Sequence, residues 1–307
     1  MANAINYATL FMTALDTQMI QQSTSGWMEA NAGEVIYNGG KEIKIPKMNM
    51  DGLGDYSRTD GYPGGTVSLD YETMTMLMDR GKQFVLDSMD VNESNFVVNA
   101  SSVMSQFQKL YVIPEVDAYR YSRIASLAIS KSKASGGYTP AVNDILSKLK
   151  ADIATVQDIV GDIPLIVTMS RLTKNILEES TEITKQLTVT DFVSGQYNTK
   201  VSMIDECPII PVPSARLKTA YVFRDGRTTG QTQGGFAPDA SAKNINWIIS
   251  AQNVPIAVSK TDNMKIFTPD VVQDADGYKM DYRKYHDLWI PDNKYDGLFV
   301  NIKEALS

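Results

Sequence analysis

The residues of this 307-residue chain that could begin nucleophilic or metal chemistry are few: one histidine, His286, and one cysteine, Cys207. Most zinc sites draw several nitrogen or sulfur ligands, and a hydrolytic serine or cysteine usually needs a histidine beside it. His286 lies in an alternating stretch with no obvious partner, so a histidine satisfied within the fold is expected. Cys207 precedes Pro208 in an apolar setting, where a buried thiol acts as a small hydrophobe. A lone cysteine also excludes an intrachain disulfide.

The carboxylates add little. Glu178–Glu179 and Asp205–Glu206 are adjacent pairs, whereas glycoside hydrolysis needs two acids facing each other across a cleft. Asp274-Ala275-Asp276-Gly277 begins like a calcium loop, but the third oxygen ligand is missing and Arg283 stands where the closing glutamate belongs. Gly226 to Gly235 is glycine-rich without the Gly-Lys-Ser/Thr that cradles a phosphate. The triplets at Asn92 and Asn99 match a glycosylation site by chance. The sequence therefore predicts no catalytic residue, no cofactor and no metal.

Bulk composition narrows the classes further. Hydrophobic residues at 43% and charged ones at 21% are those of a globular chain, long enough for one large or two modest domains. A net charge of −7, with basic residues interspersed, argues against a dedicated nucleic-acid binder. No apolar run is long enough to cross a bilayer. The first residues lack a basic leader, and Asp16 follows the short patch Leu10–Met12, so synthesis in a cytoplasm is expected.

With no chemistry to position, the elements themselves become informative. Ile5, Leu10, Met12, Leu15 and Ile20 have loose helical spacing until Ser23-Thr24-Ser25-Gly26 interrupts it. Glu42 to Ile45 alternates, as does Thr66 onward, with Val67, Leu69, Tyr71, Thr73 and Thr75 on one face. Between them lie two clusters of turn formers, at 51–56 and 60–65. Residues 41–80 thus read as a long hairpin, which buries too little to stand alone and must lie against something else. Tyr56, Arg58 and Tyr62 at its tip, and Met74 and Met76 beside it, are the candidate contact residues. An adaptable interface is the preferred reading for Met74, Met76 and Met78, because methionine repacks readily.

Phe96, Ala100, Val103, Phe107 and Leu110 trace a helical stripe over 92–132, with Asn92 or Ser94 as cap, a break or kink at Pro114, and a stop at Gly136-Gly137. Thr139-Pro140 opens a second helix carrying Ile145, Leu149 and Ile153 to about Val156. Ile163–Val167 reads as a buried strand, Ser170 as a cap for a helix holding Leu172, Ile176 and Leu177, and 224–243 as a mobile loop. Strands resume at Asn246–Ile249 and from Tyr278 to Ile290, and Asp296-Gly297 reads as a tight turn before Leu298. No fixed-period repeat is present, and the fold class is α+β, with strands and helices segregated.

This order of elements resembles the major capsid proteins of tailed bacteriophages, the Hong Kong 97-type fold shared with encapsulins. The resemblance is carried by LDYETMTMLMDRGKQFVLDSMDVNES at 69–94, VIPEVDAYRYSRIA at 112–125, NINWIISAQNVPIAVSK at 244–260 and MKIFTP at 264–269. It implies an N-terminal arm at 1–40, an extended loop at 41–80, and a long kinked spine helix. It implies a peripheral domain from 81–137 and 253–307, and an axial domain from 138–252. It further implies a structural protein that self-assembles through hexamers and pentamers into an icosahedral head around double-stranded DNA. Its partners would be other copies of itself, a separate scaffolding protein, a portal and, in some relatives, a decoration protein, with no membrane. The virion capsid would be its final location. An encapsulin-like compartment and a monomeric enzyme or ligand-binding protein are the alternatives.

Overall fold

The computed structural model describes residues 23–34, 36–37, 42–59, 61–89, 100–180, 183, 203–269, 271–272 and 276–306. All of the helical stretch expected over 5–23 except Ser23, the caps at Asn92 and Ser94, Phe96, and half of the Asp274–Gly277 turn lie outside them.

The chain enters through a 3-10 segment, Gly26–Glu34, and β1 (Ile36–Tyr37). The predicted hairpin follows. β2 (Glu42–Met50) pairs antiparallel with β3 (Val67–Thr75) in unbroken register from Glu42↔Thr75 to Met50↔Val67. Directly opposed residues share a face, so Pro46, Met48, Met50, Val67, Leu69 and Tyr71 line one side, and Ile43, Ile45, Glu72 and Met74 the other. The second limb ends at Thr75, short of the expected residue 80. After Met76-Leu77 the chain joins a different sheet as β4 (Met78–Asp87), in the order β12-β13-β4 with β12 (Ile256–Phe267) and β13 (Gly277–Trp289).

The spine is α1 (Ala100–Phe107), a π-helical turn at Gln108–Val112, and α2 (Ile113–Ser130). The sequence predicts a break or kink at Pro114; the structure answers with the wider turn just ahead of it, where the Ile113 N–H reaches back to the Gln108 carbonyl. The extra residue rotates the apolar stripe. Met104, Val112, Ile113 and Val116 are buried against Met264, Met280 and Tyr282, while Leu110, expected in the stripe, is exposed. The helix ends at Ser130 rather than Gly136, with Ser132 in the left-handed region closing it.

A six-stranded sheet in the order β5-β14-β11-β6-β8-β7 holds the main core. Its strands are β5 (Ala134–Ser135), β6 (Leu165–Ser170), β7 (Met203–Ile204), β8 (Cys207–Val212), β11 (Ile245–Ala251) and β14 (Leu298–Ile302). Every residue of β6 and β11 is buried. β5 and β14, which the family resemblance groups with 81–137 and 253–307, complete this sheet, because β14 pairs with β11.

Two helices flank the sheet. α3 (Ile145–Val160) starts five residues after Pro140, and it buries Ile145, Leu149, Ile153 and Val156 as the spacing requires. Tyr138 donates to Asp144 at 2.9 Å in the intervening turn. α4 (Arg171–Glu178) carries the predicted cap: the Thr173 N–H donates to Ser170 Oγ at 3.1 Å. Residues 224–243, expected to be a mobile loop, include half of a second hairpin. β9 (Tyr221–Phe223) pairs with β10 (Phe236–Pro238), and Phe223, Tyr221 and Phe236 pack ring to ring. Asp296-Gly297 closes a 3-10 turn, Asp292–Gly297, directly before β14, where the sequence expects a tight turn.

Candidate assembly interface

The outward side of the long hairpin is its apolar side. Val67 is 69% exposed, Leu69 53% and Tyr71 51%, and Met48 and Met50 across the ladder are exposed as well. On the other side only the root is covered: Ile43 and Met76 pack on Tyr285 and Trp289, with Met74 and Val258 at the margin. Alternation in the sequence locates the apolar face correctly. Nothing in the subunit covers it among the described residues.

The tip has its own local order. The Asp51 carboxylate accepts from the Thr66 N–H and hydroxyl, both at 2.7 Å, closing the mouth of the loop. Those two bonds hold the Asp51 carboxyl below the usual carboxylate range. Ser57 and Gly61 exchange two backbone hydrogen bonds, and Gly61 takes a left-handed conformation (φ 80°) that costs glycine nothing. This turn brings Tyr56 and Tyr62 together, ring centroids 4.9 Å apart, with both rings and Arg58 exposed.

The expected contact residues therefore separate into two groups. Tyr56, Arg58 and Tyr62 sit on the surface at the tip. Met74 is half-buried, and Met76, 3% exposed, is inside the subunit, so its side chain secures the hairpin's own root instead of facing a neighbour. Sequence reasoning did not single out Met48, Met50, Val67, Leu69 and Tyr71 as one exposed apolar set. The signal was present in the alternation, since opposed apolar residues across a ladder form one face.

The groups singled out for chemistry are placed structurally. His286 is buried, with Tyr119 edge-on at 5.5 Å. Its Nδ1 has no hydrogen-bond partner, which corrects the expectation of a satisfied histidine. Burial, reinforced by Arg120, Lys284 and Arg80, pushes its pKa well down, so the ring is neutral. Cys207 is buried and its thiol is pushed up by burial and by Asp205 and Glu206. Glu178 pairs with Lys174, and Asp205-Glu206 form the left-handed corner between β7 and β8. Among the described residues no three His, Cys, Asp or Glu side chains group to hold a metal, and no helix is long and apolar enough to cross a membrane.

No family model matches the sequence, and no curated protein is significantly similar to it. Solved structures are similar over most of their length. The cyanophage P-SCSP1u capsid aligns with a TM-score of 0.61 at 11% identity, over 88% of this chain and 85% of its own. The bacteriophage PhiM1 mature capsid aligns with a TM-score of 0.59 at 12% identity, over 87% and 83%. This chain has the Hong Kong 97-type capsid fold. A virus-like particle from Pyrococcus furiosus aligns with a TM-score of 0.51 at 11% identity, over 96% of this chain and 99% of its own. The β2–β3 hairpin and the helix pair α1–α2 are the elements that the sequence reading expected as an extended loop and a kinked spine helix.

Proposed function

We propose that this chain is the shell-forming subunit of a tailed-phage head, assembling through rings of five and six copies into a closed icosahedral container for DNA. The exposed apolar face of the extended loop carries this reading. Beyond its root, where β1 pairs with β2, the loop is two-stranded and marginal in water, and a contiguous apolar face of this kind marks an interaction surface. A copy of the same chain is the partner that a capsid fold offers. The contact joins unlike surfaces, and head-to-tail contacts of that type close into rings. Scaffolding protein, portal and decoration protein would be separate chains.

A compartment shell holding protein cargo is the second reading. It is favoured by the near-complete mutual coverage with the Pyrococcus furiosus particle. The phage reading is preferred because the PhiM1 and P-SCSP1u capsids align with higher TM-scores than that particle. Deleting residues 50–65 tests the role of the loop: shells should be lost while the subunit stays soluble and folded. Intact shells from that deletion would overturn the reading.

A further inference from the structure

We infer that the root of the extended loop and the hairpin β9–β10 are held as one joint, in which Asp287 is the positioning residue and Arg80 the direct link. The root is the two-residue passage Met76-Leu77 between β3 and β4. The Leu77 N–H donates to Asp287 Oδ2 at 2.8 Å, and the Tyr285 hydroxyl donates to the Met76 carbonyl at 3.0 Å. The other oxygen of the buried Asp287 carboxylate accepts the Tyr119 hydroxyl of α2 at 2.5 Å. The Tyr119 ring meets Phe223 of β9 edge-on, with centroids 5.6 Å apart. One carboxylate thus ties the loop root to the spine, and the spine residue that it holds carries the hairpin β9–β10.

Arg80, three residues past Leu77, makes the second connection. Its guanidinium donates to the Arg224 carbonyl at 2.7 Å and the Gly235 carbonyl at 3.3 Å, the two rails of the hairpin where its tip begins. The same group pairs with Glu115 of α2 at 2.6 Å. A planar fork can hold three acceptors at once in a way that a lysine ammonium on a flexible stem does not. Displacing β9–β10 must therefore drag β4, and with it the root, or break both bonds. The direction in which the extended loop leaves the subunit is set by this joint.

Hydrogen exchange on the unassembled full-length chain tests the inference without depending on shell formation. What the loop meets once it leaves the subunit rests on the assembly reading above. Arg80→Met and Tyr119→Phe should each speed exchange at 76–80 by about tenfold, the scale of one hydrogen bond to a charged group. Amides of β6 and β11 should keep their rates. Replacing the tip 226–234 by a short turn should loosen Leu77 as well, although it touches neither Asp287 nor Tyr119. Leu77 exchange unchanged by the tip replacement would overturn the coupling. Exchange rising equally in β6 and β11 would reduce Asp287 and Arg80 to ordinary structural residues.

Discussion

Ser25 reaches the buried carboxylate of Asp117 twice, through its backbone N–H at 3.2 Å and its hydroxyl at 2.6 Å. Ser23 and Thr24 add their hydroxyls at 2.7 and 2.9 Å and the Thr24 N–H at 3.2 Å. Arg216 approaches the same carboxylate at 3.4 Å. Next along α2, Arg120 donates to the Ser25 carbonyl at 3.2 Å and pairs with Glu29. Further along, the Asn31 amide donates to the carbonyls of Gln252 and Pro255 at 2.7 and 2.8 Å. The Ser-Thr-Ser run that reads in sequence as a helix breaker is thus a set of donors for one spine carboxylate.

Asp117→Ala should cost about 3 kcal/mol or more, because it strands several buried donors and a partly buried arginine. Urea denaturation measures the loss, and hydrogen exchange should show residues 23–29 releasing first. A loss below about 1 kcal/mol would mean that the network adds little beyond packing.

Stability should fall with acid because of His286. Its folded pKa is depressed, so below the ordinary value near 6.5 the unfolded chain binds a proton that the folded chain refuses. The stability is fully present above that value and is lost as pH falls from there toward the folded pKa. The slope attributable to one such group is at most about 1.4 kcal/mol per pH unit. Since this is the only histidine, His286→Phe should run parallel to the parent above pH about 7.5 and lose less below about 6. Denaturation curves at several pH values check it; identical pH profiles would contradict it.

Gly136→Ala should destabilise the fold. A Cβ there would lie 2.6 Å from the Glu304 carbonyl oxygen and 2.7 Å from the Leu306 nitrogen, both backbone atoms that cannot swing away. The cost should be about 1–3 kcal/mol by the standard of overpacked sites. Thermal unfolding of the variant reads it out, and an unchanged midpoint would show that the C-terminal tail can shift.

Local pattern made much of this fold legible, and long-range pairing hid the rest. The hairpin, the stripe Ile145–Leu149–Ile153 and the Ser170 cap are short-range periodicities and turned up where the spacing put them. Gly136 is a different case: it looks like a helix stop, but the helix ends at Ser130 and the glycine makes room for the returning tail. Membership of β14 in the six-stranded sheet depends on pairing with β11, about fifty residues away, which no local signal encodes. The π turn before Pro114 is equally hidden, because a proline says only that the ordinary helix must change. For the interface, the apolar face was readable from alternation, but Met76 was not separable from Met48 by residue type. Only the subunit's own core decides which methionine is covered.

Leu69→Glu separates folding from assembly. The side chain is exposed in the subunit, so folding stability should change by no more than about 0.5 kcal/mol. Shell yield should collapse, because a charge would be carried into an apolar contact. Light scattering on the purified variant checks it, and normal shells would show that this face is not the interface.

Negative-stain microscopy of the expressed chain, with size-exclusion light scattering, tests the central claim most directly. Closed shells, or rings of five and six subunits, are the predicted result. A chain that remains monomeric at high concentration, and still does so when coexpressed with a scaffolding protein encoded beside it, would contradict the assembly role.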